Sequence, residues 1–129
     1  MRSPLLRTAR VGDHLPPSVV DRSKPRRLEA TAIIVPGRGD AGAYVDAVAS
    51  RAADFAAWDG RVVVAEPDGE ATHRLLIVDR YAQVYAVHDE GDVRALPTPH
   101  DLEEWFRFLS TACPECGVLD EALLSGPTL

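Results

Sequence analysis

Cysteine is nearly absent from this chain of 129 residues: Cys113 and Cys116 are the only two, and they are separated by two residues. A loop that small cannot brace a fold, so a disulfide scaffold is excluded. No apolar run approaches the roughly 20 residues that a membrane span needs. The apolar centre of a signal peptide is missing as well, because Arg2, Arg7 and Arg10 interrupt the N-terminal stretch. Internal repeats are lacking. These absences predict an intracellular, cytoplasmic protein with no membrane partner. What remains is ordinary: hydrophobic residues make up 46% and charged residues 26%, the composition of one soluble domain with a real core.

The net charge of −6 is unevenly spread. Residues 1–27 carry seven basic and two acidic side chains, a net +5, so the rest of the chain is −11. A basic arm on an acidic body could contact nucleic acid or an acidic partner. No aromatic residue interleaves the arginines as stacking on a nucleic acid would require, so the arm is expected to pack over its own acidic body or to stay solvated, and nucleic acid is not expected as a partner. This Pro-rich arm shows no period. Val11 to Pro16 reads as an extended lead-in, and Val19-Val20 as a short edge strand.

The chain is organised around Thr31 to Trp58. Ala32-Ile33-Ile34-Val35 reads as a buried strand, Pro36 to Asp40 as a Gly-containing loop, and the following stretch as a helix. Asp40 is the expected N-cap; Tyr44, Val48, Ala52 and Phe55 form the apolar stripe, and Asp59-Gly60 the stop. Val62 to Ala65 is a continuous apolar run, which predicts a central parallel strand covered on both faces. Leu75 to Val78 and Ala82 to Val87 read as an antiparallel hairpin joined by Asp79-Arg80-Tyr81, and His88 to Pro97 as a polar loop. The last helix starts at Thr98 and Pro99, buries Leu102, Trp105, Phe106 and Leu109, and stops before Pro114. A short helical turn over Asp120–Leu124 completes the reading. The order β-α-β then β-β-α predicts an α/β fold, thioredoxin-like, with a mixed central sheet and helices on both faces. The expected organisation is a basic extension over 1–27, the α/β domain over 28–112 and a tail over 113–129.

Val11-Gly12-Asp13-His14-Leu15-Pro16 is similar to the "VGDxAP" segment of the peroxiredoxin-like (AhpC/TSA, redoxin) branch of the thioredoxin superfamily. Val78 to Tyr85 resembles that branch's "DRxGxV" hairpin, with Ala82 where glycine is usual. The resemblance covers about Val11 to Ala112 and implies a thiol-redox ancestry. It departs where the chemistry should be. The family's Pro-x-x-x-Thr/Ser-x-x-Cys frame falls on Pro36, Asp40 and Ala43, so the peroxidatic cysteine is replaced by alanine. A thioredoxin-type Cys-x-x-Cys is also missing from this loop, and Ala71-Thr72-His73 stands where thioredoxins place a cis-proline. Both chemistries need a thiolate, which alanine cannot supply. The resemblance therefore implies a degenerate site.

Cys113-Pro114-Glu115-Cys116-Gly117 is the remaining loaded motif. Following the C-terminal end of a helix, and beside Glu115, its thiols are expected to be poor nucleophiles. Three readings stay open: a slow redox pair, two ligands of a zinc ion completed by a second chain or by histidines, or a buried small residue with a loose thiol. A homodimer or another protein partner fits the zinc reading. His100 is some three turns from Cys113 and cannot join it within one chain. His14, His73 and His88 have no spacing that assigns them a role. Gly37-Arg38-Gly39 before a helix could cradle an anion. Asp40 at the cap would repel that anion, so a tight turn is the expected role.

Overall fold

Ala30–Val35 are all buried and form strand β1, the centre of the molecule. The computed structural model describes residues 4–16 and 29–111. Among these, β1, β2 (Gly60–Val64), β3 (His73–Val78) and β4 (Val84–Glu90) form a four-stranded mixed sheet in the order β2-β1-β3-β4. β1 runs parallel to β2, with Ala32 opposite Val62, and antiparallel to β3, with Ile33 opposite Leu76. β3 and β4 are antiparallel, with a register shift between Ile77 and Val78. The protein is α/β with a mixed sheet, as the order of elements predicts.

Helices α1 (Pro4–Thr8), α2 (Gly42–Ala49), α3 (Ala52–Ala56) and α4 (Pro99–Thr111) cover the sheet. Alternation along the strands gives two cores. Ala30, Ala32, Ile34, Leu75 and Ile77 pack with Val48, Phe55, Leu102, Trp105, Phe106 and Leu109 from α2, α3 and α4. Ile33, Val35, Leu76, Val78 and Val84 pack on the other face with Leu6 of α1, Ala9 and Leu15. The ring of Phe106 lies flat enough on Gly60 that a Cβ there would fall 2.7 Å from Cδ2. Phe106 also packs on Phe55 with ring centroids 5.1 Å apart. α4 begins as its sequence signals promise. The Asp101 amide donates to Thr98 Oγ1 (3.1 Å) and the Thr98 amide to Asp101 Oδ2 (3.0 Å), a reciprocal cap.

Several expectations are corrected. β2 is an edge strand, not a central one: only Gly60 of its five residues is buried, and Val64 is 44% exposed. Its valines are apolar because one face meets the helices, and a short apolar run does not distinguish that from burial on both sides. The helix after β1 is two helices, broken where the Arg51 amide closes a tighter turn onto the Val48 carbonyl (3.1 Å). Ala52 is exposed rather than on the buried stripe. The N-cap is Ala41; the Asp40 carboxylate instead accepts from the Gly42 amide at 2.8 Å. The fourth strand starts at Val84 and continues to Glu90, into the expected loop, and a 3₁₀ turn follows over Val93–Ala95.

Residues 4–16 do lie on their own chain. Arg7 grips Asp68 with two bonds of 2.8 Å and also donates to Thr72 Oγ1 at 3.0 Å. Arg74 donates to the Leu6 carbonyl at 2.7 Å, to the Ala9 carbonyl and to Asp89. Val11-Gly12 is a turn, after which the Gly12 and Leu15 amides donate to the Val84 and Ala82 carbonyls (each 2.8 Å) and the Val84 amide donates to Asp13 (2.8 Å). Val19-Val20 and Asp120–Leu124 lie outside the described residues.

Candidate functional site at the end of strand β1

β1 delivers the chain into Pro36 and Gly37, both buried, and then into Arg38, Gly39 and Asp40, all exposed. The Gly37 backbone is pressed against the stretch that leads into β3. The Arg38 amide donates to the Glu70 carbonyl (2.6 Å), and a Cβ on Gly37 would fall 2.6 Å from that oxygen and inside the Thr72 carbonyl. Only glycine fits there. The Gly37 amide donates to His73 Nδ1 at 3.0 Å. In the neutral ring that bond leaves the proton on Nε2. His73 opens β3, is 2% exposed and stands opposite Glu90 of β4. Its Nε2 has no hydrogen-bond partner among the described residues and lies 3.8 Å from where a Cβ on Gly39 would sit. Gly39, at φ +95°, leaves that approach open.

Pro36, Asp40 and Ala43 lie around this loop and the first turn of α2. Pro36 is buried, Asp40 and Ala43 are exposed, and no sulfur is present there. The Thr72–His73 bond is trans, as are all those of the described residues.

No family model, curated protein or solved structure matches this chain.

Cys113 and Cys116 lie outside the described residues, which end at Thr111 of α4. Among those residues no group of three or more His, Cys, Asp or Glu side chains is arranged to hold a metal ion. The fold does not gather the four histidines into one group, although His73 and His88 are diagonal neighbours in the β3–β4 ladder. His14 bridges to Gln83, His73 sits under the β1 loop, His88 is on β4, and His100 is exposed 4.0 Å from Glu104. No helix of the described residues is long and apolar enough to cross a membrane.

Two further groups flank the site on the helix-covered face. Tyr44, in the first turn of α2, donates to the Pro97 carbonyl at 2.7 Å; burial, and then Asp101, raise its hydroxyl pKa. Burial lowers the pKa of His88, against the opposing pull of Glu90 and Asp101. His88 Nε2 and Trp105 Nε1 are buried without a partner among the described residues. At the exposed rim, hydrogen bonds from Arg94 hold the Asp92 carboxyl down at about 2, with His73 a lesser influence.

Sequence reasoning missed His73. Its signal was present: it precedes Leu75 and Ile77 at a spacing of two, which turns it toward the helix-covered face at the strand's first residue. On the far side of α2, a groove of about 550 Å³ runs along β2, lined by Val45, Val48, Ala52, Phe55, Val62 and Val64 among others.

Proposed function

We propose that this is a redoxin-derived, thioredoxin-like protein that has lost the peroxidatic and dithiol site, any remaining thiol–disulfide exchange belonging to Cys113 and Cys116. The observation that supports the ancestry most is a pairing. The two motifs of the family resemblance, Val11 to Pro16 and Val78 to Tyr85, are some 70 residues apart in sequence, and their backbones bond directly at Gly12, Asp13 and Leu15. The strand order β2-β1-β3-β4 is in keeping with the same reading, although residues 65–72 join β2 to β3 without a helix.

The chemistry follows from what stands in the ancestral frame. A peroxidase cycle needs a thiolate held by the first turn of α2, and Ala43 has none. Exchange at Cys113 and Cys116 would need no group of that frame: a thiolate attacks a substrate disulfide, the second thiol resolves the mixed disulfide, and an external dithiol re-reduces the pair. Peroxide consumption and insulin-disulfide reduction test this, each against Cys113→Ser. The expected result is no peroxide turnover and slow insulin reduction that Cys113→Ser abolishes. Fast peroxide turnover would overturn the reading.

A second reading, a non-catalytic binding or scaffold homodimer, is favoured by β2. The Ala65 amide and the Asp59 carbonyl bond to β1, so odd-numbered residues face inward and the amides and carbonyls of Val62 and Val64 point outward, unpaired among the described residues. A second copy's β2 could pair there antiparallel, Val62 opposite Val64. Arg61 is the strand's one charged residue and donates to Thr31 Oγ1 within its own chain, so no like charges meet. In that reading the tail cysteines of two chains hold zinc or are inert. Native mass spectrometry separates the two: a zinc-bearing dimer sinks the redox reading, whereas a metal-free chain gaining about 2 Da on reduction sinks the zinc one.

A further inference from the structure

We propose that the loop after β1 binds a carboxylate, with His73 Nε2–H as its principal donor. The inference rests on the geometry of the loop and not on the ancestry.

Four observations converge. His73 is 98% removed from solvent, yet its Nε2 proton has no acceptor among the described residues. The nitrogen is not one of the sealed, unpartnered atoms of the described core, which are His88 Nε2 and Trp105 Nε1, so a ligand can reach it. The Gly37 amide holds the ring at Nδ1, which fixes both its orientation and the nitrogen that carries the proton. That same bond makes Nε2 a donor rather than a metal ligand or a base. Gly39 has no side chain to cover the nitrogen. Around it the loop offers donors: the amides of Gly39, Asp40 and Ala41 have no acceptor among the described residues, nor does the exposed guanidinium of Arg38. These precede the first turn of α2, whose N-terminal end is positive.

The acidic neighbours choose the ligand. Asp40 Oδ1 accepts from the Gly42 amide and Asp92 accepts from Arg94, and neither carboxylate bonds to His73. Glu90 stands opposite His73 in the ladder. Three nearby negative charges penalise a dianion far more than a monoanion, which disfavours phosphate and sulfate. A flat carboxylate has two oxygens, one for Nε2–H and one for a loop amide. Asp40, which argues against an anion when the sequence is read alone, is thereby accommodated.

The test is a ¹H–¹⁵N titration of the whole chain with sodium acetate, with sodium chloride and sodium sulfate controls at matched ionic strength. Saturable shifts at Gly39, Asp40, Ala41 and the His73 ring are expected, with a dissociation constant in the millimolar range. His73→Phe should weaken acetate at least about tenfold, and Arg38→Ala, at an exposed position, about threefold. A tripeptide with a free C-terminal carboxylate, against its amide, distinguishes a peptide end from a free acid as the source. Shifts that chloride reproduces, sulfate binding as tightly as acetate, or His73→Phe binding acetate like the parent would each overturn the proposal. Should His73→Phe fail to fold, unchanged acetate affinity in Arg38→Ala overturns it instead. The thiol assays above do not depend on this outcome.

Discussion

The Gly37 amide and His73 Nδ1 meet at 3.0 Å across 36 positions of sequence, tying the exit of β1 to the start of β3. The contact exists because Gly37 has no side chain: a Cβ would overlap the Thr72 carbonyl and sit 2.6 Å from that of Glu70. Backbone cannot yield as a side-chain tip can, so Gly37→Ala must push the loops apart and break the bond. The expected loss is about 3 kcal/mol in urea denaturation, with the His73 ring signals shifted in the remaining folded protein. A loss below about 1 kcal/mol would show that the loops are not closely packed.

Ala82 occupies φ +68°, the left-handed region, at the position where the resembling hairpin usually has glycine. A Cβ there costs about 1–2 kcal/mol, against which glycine loses more chain entropy on folding. Ala82→Gly is therefore expected to stabilise the protein by about 0.5–1 kcal/mol, read as a rise in denaturation midpoint without change in slope. Destabilisation would mean that the turn relaxes to a different conformation around alanine.

How much of this was legible varies with the signal each residue carries. α4 was readable to the residue at its start, because Thr98, Pro99 and Asp101 are local signals that act locally. The alternation that assigns Leu75 and Ile77 to one core and Leu76 and Val78 to the other follows from strand geometry alone. The status of β2 did not, since Val62-Val63-Val64 reads the same at an edge as in the centre, and only β3 returning on the far side of β1 decides it. α1 is a single turn held by Arg74 from 68 positions away, which no local period announces. His73 was overlooked for a similar reason: its partner is a backbone amide, and an amide leaves no mark on a sequence.

Arg74 fastens α1 to the sheet. It is 7% exposed, and its guanidinium reaches the Leu6 and Ala9 carbonyls and Asp89 together. Arg74→Leu leaves those two carbonyls without that donor and is expected to cost about 2–3 kcal/mol. Arg7→Ala removes a more exposed grip on Asp68 and should cost about 1 kcal/mol. In both, amide exchange at Gly12, Leu15 and Val84 should accelerate before that of β1, because these amides belong to the fastened segment. Uniform acceleration across the sheet would instead mean that residues 4–16 and the sheet unfold as one unit.

His88 gives stability a pH dependence whose sign is fixed by its burial. Its pKa is lowered in the folded protein from the ordinary 6.5, chiefly by desolvation, with Glu90 and Asp101 acting in the opposite sense. A base with a lowered folded pKa binds fewer protons when folded than when unfolded. Its contribution is therefore fully present above about 6.5 and is lost as the pH falls from there toward the folded value. Removing the imidazole removes the effect, so the stability of His88→Phe should vary less between pH 7 and 5.5 than that of the parent. The phenyl ring also relieves the unpartnered Nε2, so the difference between the two proteins should favour the variant increasingly as the pH drops. Urea denaturation of both across that range measures it. Parallel curves would place the proton uptake on another group and leave His88 as exposed, in effect, as it is in the unfolded chain.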